Sequence, residues 1–408
     1  MLFRSVPQSD LEANARMERD FIAYDPHYKE EKAQRIERIR AVARKVFDKE
    51  SSSQKTACSH QILFEAMSLI ISSADFKLID QRLDDAEASL ASPELQAKAE
   101  KPDAADGSFG ACYVEWYLRV GASYDQLRKS RDRSSKQSPL PLWLDRIATP
   151  AKLTDYLLSI SASDISHTGI DHERELNDML AVLTRMLLRD SNFLVDPQLK
   201  SIFLDLILHR LRNPKTGWWG ESYSRNGHLD FVDDLSVTFH VVSYLSGNIP
   251  DMPRVIDTTL AVKDMDYPVG WLWKGQSWNH NNMDVVTLFQ YGWPSASDEQ
   301  RKAMQAEIEK MLHWCLTESL QPDGSFKPTI ADGSLEETME YGVAFLARIG
   351  FLDKSKRFWT NQDFPQSEEV RSRILSYVKK HEASGGAGGT QYQGVLEDLT
   401  EPPKKIAD

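Results

Sequence analysis

The chain has 408 residues, 41% hydrophobic, 10% aromatic and 27% charged, and its 61 acidic against 49 basic side chains give a formal net charge of −12. A protein that follows a polyphosphate backbone needs a basic face, so this balance argues against nucleic acid as a partner. No stretch approaches the roughly 18 apolar residues of a spanning helix; the best, 62–71, is broken by Glu65 and Ser68.

Residues 1–7 carry one Arg and no apolar core of signal-peptide length. The three cysteines, Cys58, Cys112 and Cys315, are too few and too scattered for a disulfide framework or a Cys-based zinc site. These features predict a soluble, cytoplasmic protein, unless an exporting signal has been removed. Residues 9–49 predict two charged helices around Pro26, an N-terminal extension over 1–49. After it, turns recur. Asp106-Gly107-Ser108-Phe109 returns as Asp323-Gly324-Ser325-Phe326, with Gly217 and Gly270 between them. The later gaps are 53 and 54 residues and the first is 110, about two units. Helical spacing of apolar residues follows each break, over 58–73, 113–120, 172–188, 233–245, 281–291 and 335–349, and strand signals are sparse. Further amphipathic runs lie between, over 199–211, 253–262, 301–316 and 368–381. A two-helix unit repeated six times predicts an all-α (α/α)6 toroid over 50–383, six helical hairpins around a central cavity. Residues 384–408 read as a Gly-rich linker and polar tail.

The run from Arg212 through Thr216-Gly217-Trp218-Trp219-Gly220-Glu221 to Tyr223 resembles the QW repeats of triterpene and diterpene cyclases. So does Leu320-Gln321-Pro322-Asp323-Gly324-Ser325-Phe326. The chain is thus similar to the terpenoid cyclase and protein prenyltransferase superfamily of α/α toroids, in which these repeats are structural. The segment Phe231-Val232-Asp233-Asp234-Leu235 looks like the acidic motif of class II terpene cyclases, with Phe231 standing where the family has its first Asp. The resemblance implies that Asp233 is the acid that protonates an alkene or epoxide, with Asp234 beside it.

Independently of the resemblance, a toroid brings the first turns of its inner helices together. Asp233 and Asp234 open one such helix. A carboxyl buried among aromatics has its charged form disfavoured and becomes a proton donor. His280 and Asp284 are four apart, on one helix face, and suit a carboxylate-oriented base. Asn-His pairs at helix starts are also similar to those of toroidal polysaccharide lyases, in which Tyr donates the proton. Glu337 and Tyr341, in a third cluster, form a second i, i+4 pair, and paired carboxyls across a cavity suit glycoside hydrolysis. Trp116, Trp218, Trp219, Trp271, Trp273, Trp278 and Asn282 are candidate substrate-binding residues, with core filling as the alternative for each Trp. No zinc, magnesium, nucleotide or serine-hydrolase pattern is present, so no metal or cofactor is expected. Three functions remain open: a terpenoid cyclase-like enzyme on an isoprenoid, a carbohydrate-active lyase or hydrolase on an oligosaccharide, and a toroid that only binds a ligand.

Overall fold

The computed structural model describes residues 20–52, 54–130, 138–189, 193–225, 227–328, 335–383, 395, 396 and 399. These residues are mostly helical, with one three-stranded sheet and a two-stranded ladder. They fall into two compact units. One runs to residue 214 and includes 219–233; the other takes 215–218 and the residues from 234 onward.

In the first unit, α1 (Tyr28–Ser51) packs on α2 (Ala57–Ser72) and α3 (Phe76–Ser89), and α4 (Pro93–Ala99) closes over α2. Asp80 on α3 is gripped by Arg35 at 2.7 Å and Arg38 at 2.9 Å from α1. The extension is thereby joined to the repeat. Then come α5 (Trp116–Ser130), α6 (Pro150–Ser159), α7 (Glu173–Leu183) and α8 (Pro197–Asp205), with α7 against α5 and α8 against α6. Ser92-Pro93, Thr149-Pro150 and Asp196-Pro197 start α4, α6 and α8. In each, the side-chain oxygen accepts a first-turn N–H, and Pro occupies a position whose N–H would otherwise be unpaired.

Glu65, fully buried on α2, accepts from the N–H groups of Val114 (2.8 Å) and Glu115 (2.7 Å) just ahead of α5. It pairs with Arg82, which also donates to the Cys112 carbonyl at 2.8 Å. Cys112 is bonded to Cys58, a disulfide between residues 54 apart that the cysteine count did not anticipate.

The sparse strand signals also missed a hairpin. β4 (Gly220–Arg225) and β5 (His228–Asp233) pair antiparallel, and β2 (Ala162–Ser163) lies parallel to β4. β1 (Ser138–Pro139) and β3 (Phe193–Leu194) make the ladder. Gly220 is required here, because a Cβ would sit 1.8 Å from the Val232 carbonyl oxygen.

The second unit contains α9 (Leu235–Tyr244), α10 (Met252–Ala261), α11 (Asn279–Gly292), α12 (Asp298–Trp314), α13 (Leu335–Arg348) and α14 (Ser367–Ala383). α11 lies between α9 and α13, and α10 and α12 pack on it. A helix covered on so many sides is expected to be apolar all round. α11 instead buries Asn279, Asn281, Asn282, Asp284 and Thr287 among its apolar residues. At the repeated turns, Gly107, Gly217 and Gly324 have φ of 74°, 78° and 94°, which disfavours any side chain. Of the C-terminal tail, 395, 396 and 399 are described; Leu399 is buried and its carbonyl accepts from Arg371 at 2.9 Å. Among the described residues, no helix is long and apolar enough to cross a membrane.

Candidate active site

The start of α11 gathers several of the expected residues in the second unit. Trp278 precedes the helix in an extended conformation and its carbonyl accepts from the Asn282 N–H at 2.9 Å. His280 then faces Tyr341 of α13, rings stacked at 3.8 Å between centroids and 9° between planes. Trp278 meets the imidazole edge-on at 4.8 Å, and half-buried Trp273 lies 5.4 Å from Trp278. Tyr341 is hydrogen-bonded to Glu337 one turn earlier on α13. Its phenol is pushed well above the usual range by burial first, then by the charge of Glu337.

Asp284 sits one turn beyond His280 and is 1% exposed. Its Oδ2 lies 3.9 Å from His280 Nε2, too long for a hydrogen bond. Neither carboxyl oxygen finds a hydrogen-bond donor among the described residues. Burial, and after it the charge of Asp234, push its pKa well above the usual carboxylate range. Burial of this kind disfavours the charged form of the carboxyl. Asp234 is the N-cap of α9, its Oδ1 accepting from Val237 N–H at 2.8 Å.

Other expected residues are placed elsewhere. Asp233 does not open the helix: it ends β5 in the first unit, 2% exposed, and accepts from Asn213 Nδ2 at 3.1 Å. Backbone pairing of β5 with β4 extends the strand to Asp233, so the acid expected there is a satisfied strand residue. Trp218 and Trp219 are core rather than binding surface. Both are 0% exposed, and their indole N–H groups donate to the carbonyls of Val255 (3.2 Å) and Ile207. Trp271 is buried edge-on to Phe289. Trp116, in the first unit, is wedged between the Tyr156 ring and the Arg146 guanidinium, its N–H on the Trp143 carbonyl at 3.0 Å. Asn282 is two residues from Asp284, about 200° around the helix, so it does not share the acid's face.

A second buried acidic cluster lies in the first unit. Tyr223 Oη is 2.9 Å from Asp171 Oδ1 and 3.3 Å from Glu221 Oε2, and Ser163 Oγ contacts Glu221 Oε1. Sequence reasoning quoted Glu221 and Tyr223 in a turn motif and assigned them no role; Asp171 it missed. The pairing of β2 with β4 brings them together across about fifty residues, and periodicity carries no signal of that pairing. Among the described residues, no group of three or more His, Cys, Asp or Glu side chains is arranged to hold a metal ion.

Compared with known proteins, the chain matches no family model, no curated protein and no solved structure.

Proposed function

We propose that the second unit carries the acid centre of a terpenoid cyclase-like enzyme, with Asp284 rather than Asp233 as the proton donor. The observation that carries this reading is a buried carboxyl that meets no hydrogen-bond donor among the described residues, its pKa raised by that burial, one turn from the His280 ring stacked on Tyr341. In the proposed reaction the Asp284 O–H proton adds to an alkene carbon of an isoprenoid. The faces of Tyr341 and Trp278 stabilise the cation that forms. The cyclised cation then loses a proton from carbon to the Asp284 carboxylate, forming the product alkene and restoring the acid. The same proposal keeps the (α/α)6 toroid, supported by the mostly helical chain and by the packing of α2 on α3, α5 on α7 and α6 on α8. The Cys58–Cys112 bond supports an oxidising compartment instead of the expected cytoplasm, since disulfides are rare where thiols are kept reduced.

A second reading is a carbohydrate-active enzyme using His280, Tyr341 and Glu337. It is favoured by the His280 side chain, 25% exposed and stacked on Tyr341. A product screen separates the two. Linear isoprenoids and neutral and uronate oligosaccharides are incubated with wild type, Asp284→Asn and Asp233→Asn, and products are read by mass spectrometry. The proposal expects a cyclised isoprenoid from wild type and Asp233→Asn and none from Asp284→Asn. Turnover retained in Asp284→Asn sinks it, and conversion of oligosaccharide alone replaces it with the second reading.

A further inference from the structure

A phenol has one proton to give. Tyr223 Oη nevertheless touches two carboxyls, Asp171 Oδ1 at 2.9 Å and Glu221 Oε2 at 3.3 Å. With both carboxyls ionised, one of those contacts would be a repulsive pair of oxygens. The surrounding donors decide which carboxyl carries the extra proton. Asp171 Oδ1 also accepts from the Glu173 N–H at 2.9 Å, and Asp171 is hydrogen-bonded to Glu221 as well, so the two carboxyls share one site; burial raises both, and Glu221 the further. Ser163 Oγ accepts from the His172 N–H at 2.7 Å and so donates its own proton to Glu221 Oε1. Glu221 Oε2 can then meet the phenol oxygen favourably only as a hydroxyl.

We propose that these residues form a proton-locked latch, in which Glu221 Oε2–H donates to Tyr223 Oη and Tyr223 Oη–H donates to Asp171 Oδ1. The latch joins hairpin β4–β5 to the end of α2 and the start of α7. Asp171 N–H donates to the Ser72 carbonyl at 2.9 Å, Glu173 is the first residue of α7, and Ser163 and Tyr223 are in register across β2 and β4. Asp171, Glu221 and Tyr223 are 4%, 2% and 5% exposed.

The charged groups around the latch do not offset a second anion. Glu173 and His172 face it from the start of α7, and Asp230 on β5 is in register opposite Tyr223. Asp164 and His167, on the adjoining turn, pair with each other at 2.8 Å. None of these is a fixed cation. Burial, and then the charge of Asp171, raise the Glu221 acid well above its ordinary range. A raised folded-state pKa means that the closed hairpin holds a proton which the opened one releases. Closure is therefore strongest below the ordinary carboxylate pKa and weakens as pH rises toward the folded value, by about tenfold per pH unit.

Hydrogen exchange of the full chain tests this, with protection factors followed for peptides covering 220–233 across a pH series. Wild type should lose about tenfold protection per pH unit above the ordinary carboxylate range. Glu221→Gln should hold its protection constant, because the amide keeps an acceptor for Ser163 and a donor for Tyr223. A parallel loss in Glu221→Gln, or none in wild type, overturns the latch. Should Glu221→Gln fail to fold, Asp171→Asn decides: removing the Asp171 charge should shrink the total loss, and an unchanged loss overturns the proposal.

Discussion

Asp284 in the second unit and Glu221 in the first are equally hidden from water, yet they are furnished with donors in opposite ways. Glu221 and its partner Asp171 meet Ser163, Tyr223 and a backbone N–H, while Asp284 meets no hydrogen-bond donor among the described residues. Burial raises the pKa of both. Burial alone therefore does not separate a structural acid from a reactive one. A satisfied carboxyl holds its neighbours in place; the proposed function assigns the unsatisfied one the role of proton donor. Glu65 is a third case, buried but compensated by Arg82 and two N–H groups, and serving to seat α5.

The largest expected effect tests the unsatisfied side of this comparison. Asp284→Asn should lower turnover by about 10²–10⁴-fold, the usual contribution of a positioned acid, while circular dichroism shows an unchanged helical fold. Unchanged turnover would place Asp284 among the structural acids. Next in size, Glu65→Ala leaves two buried N–H groups without their acceptor and Arg82 with only Asp85 and the Cys112 carbonyl, and should cost about 2–4 kcal/mol in denaturant unfolding. A loss near zero would mean that water replaces the carboxylate.

These expectations rest partly on what the sequence made legible. The glycine spacing was readable because three of the four repeated glycines hold a positive φ, and at Gly270 a Cβ would meet the Met265 carbonyl oxygen at 2.2 Å. His280 and Asp284 were readable as a pair because four residues return a helix to the same face. The hairpin was not read, since burial along β4 and β5 does not alternate; its one cue was the dipeptide Asn226-Gly227 between two short runs. That omission also misplaced Asp233, which ends a strand instead of opening a helix. Tryptophan count could not distinguish wall from core, because Trp218 and Trp273 differ only in what packs on them.

Smaller effects refine the satisfied side. Tyr223→Phe removes the bridging phenol and should cost about 1 kcal/mol near neutral pH, measured by urea unfolding. No change would indicate that the two carboxyls are bridged without it. A pH effect on Asp284→Asn bears on the other side of the comparison. The wild-type acid has a raised folded-state pKa, so its stability contribution is lost as pH rises from the ordinary carboxylate range toward the folded value. Asn does not titrate. The melting temperature of Asp284→Asn should therefore gain on wild type as pH rises, and parallel curves would contradict a raised pKa.

The protonation state of Asp284 is the claim on which the functional account stands, and infrared difference spectroscopy reads it directly. At neutral pH, the wild-type minus Asp284→Asn spectrum should show the C=O stretch of a protonated carboxyl, a band separate from the one that Glu221→Gln removes. A carboxylate band in its place would show Asp284 to be ionised and would contradict the proposed acid.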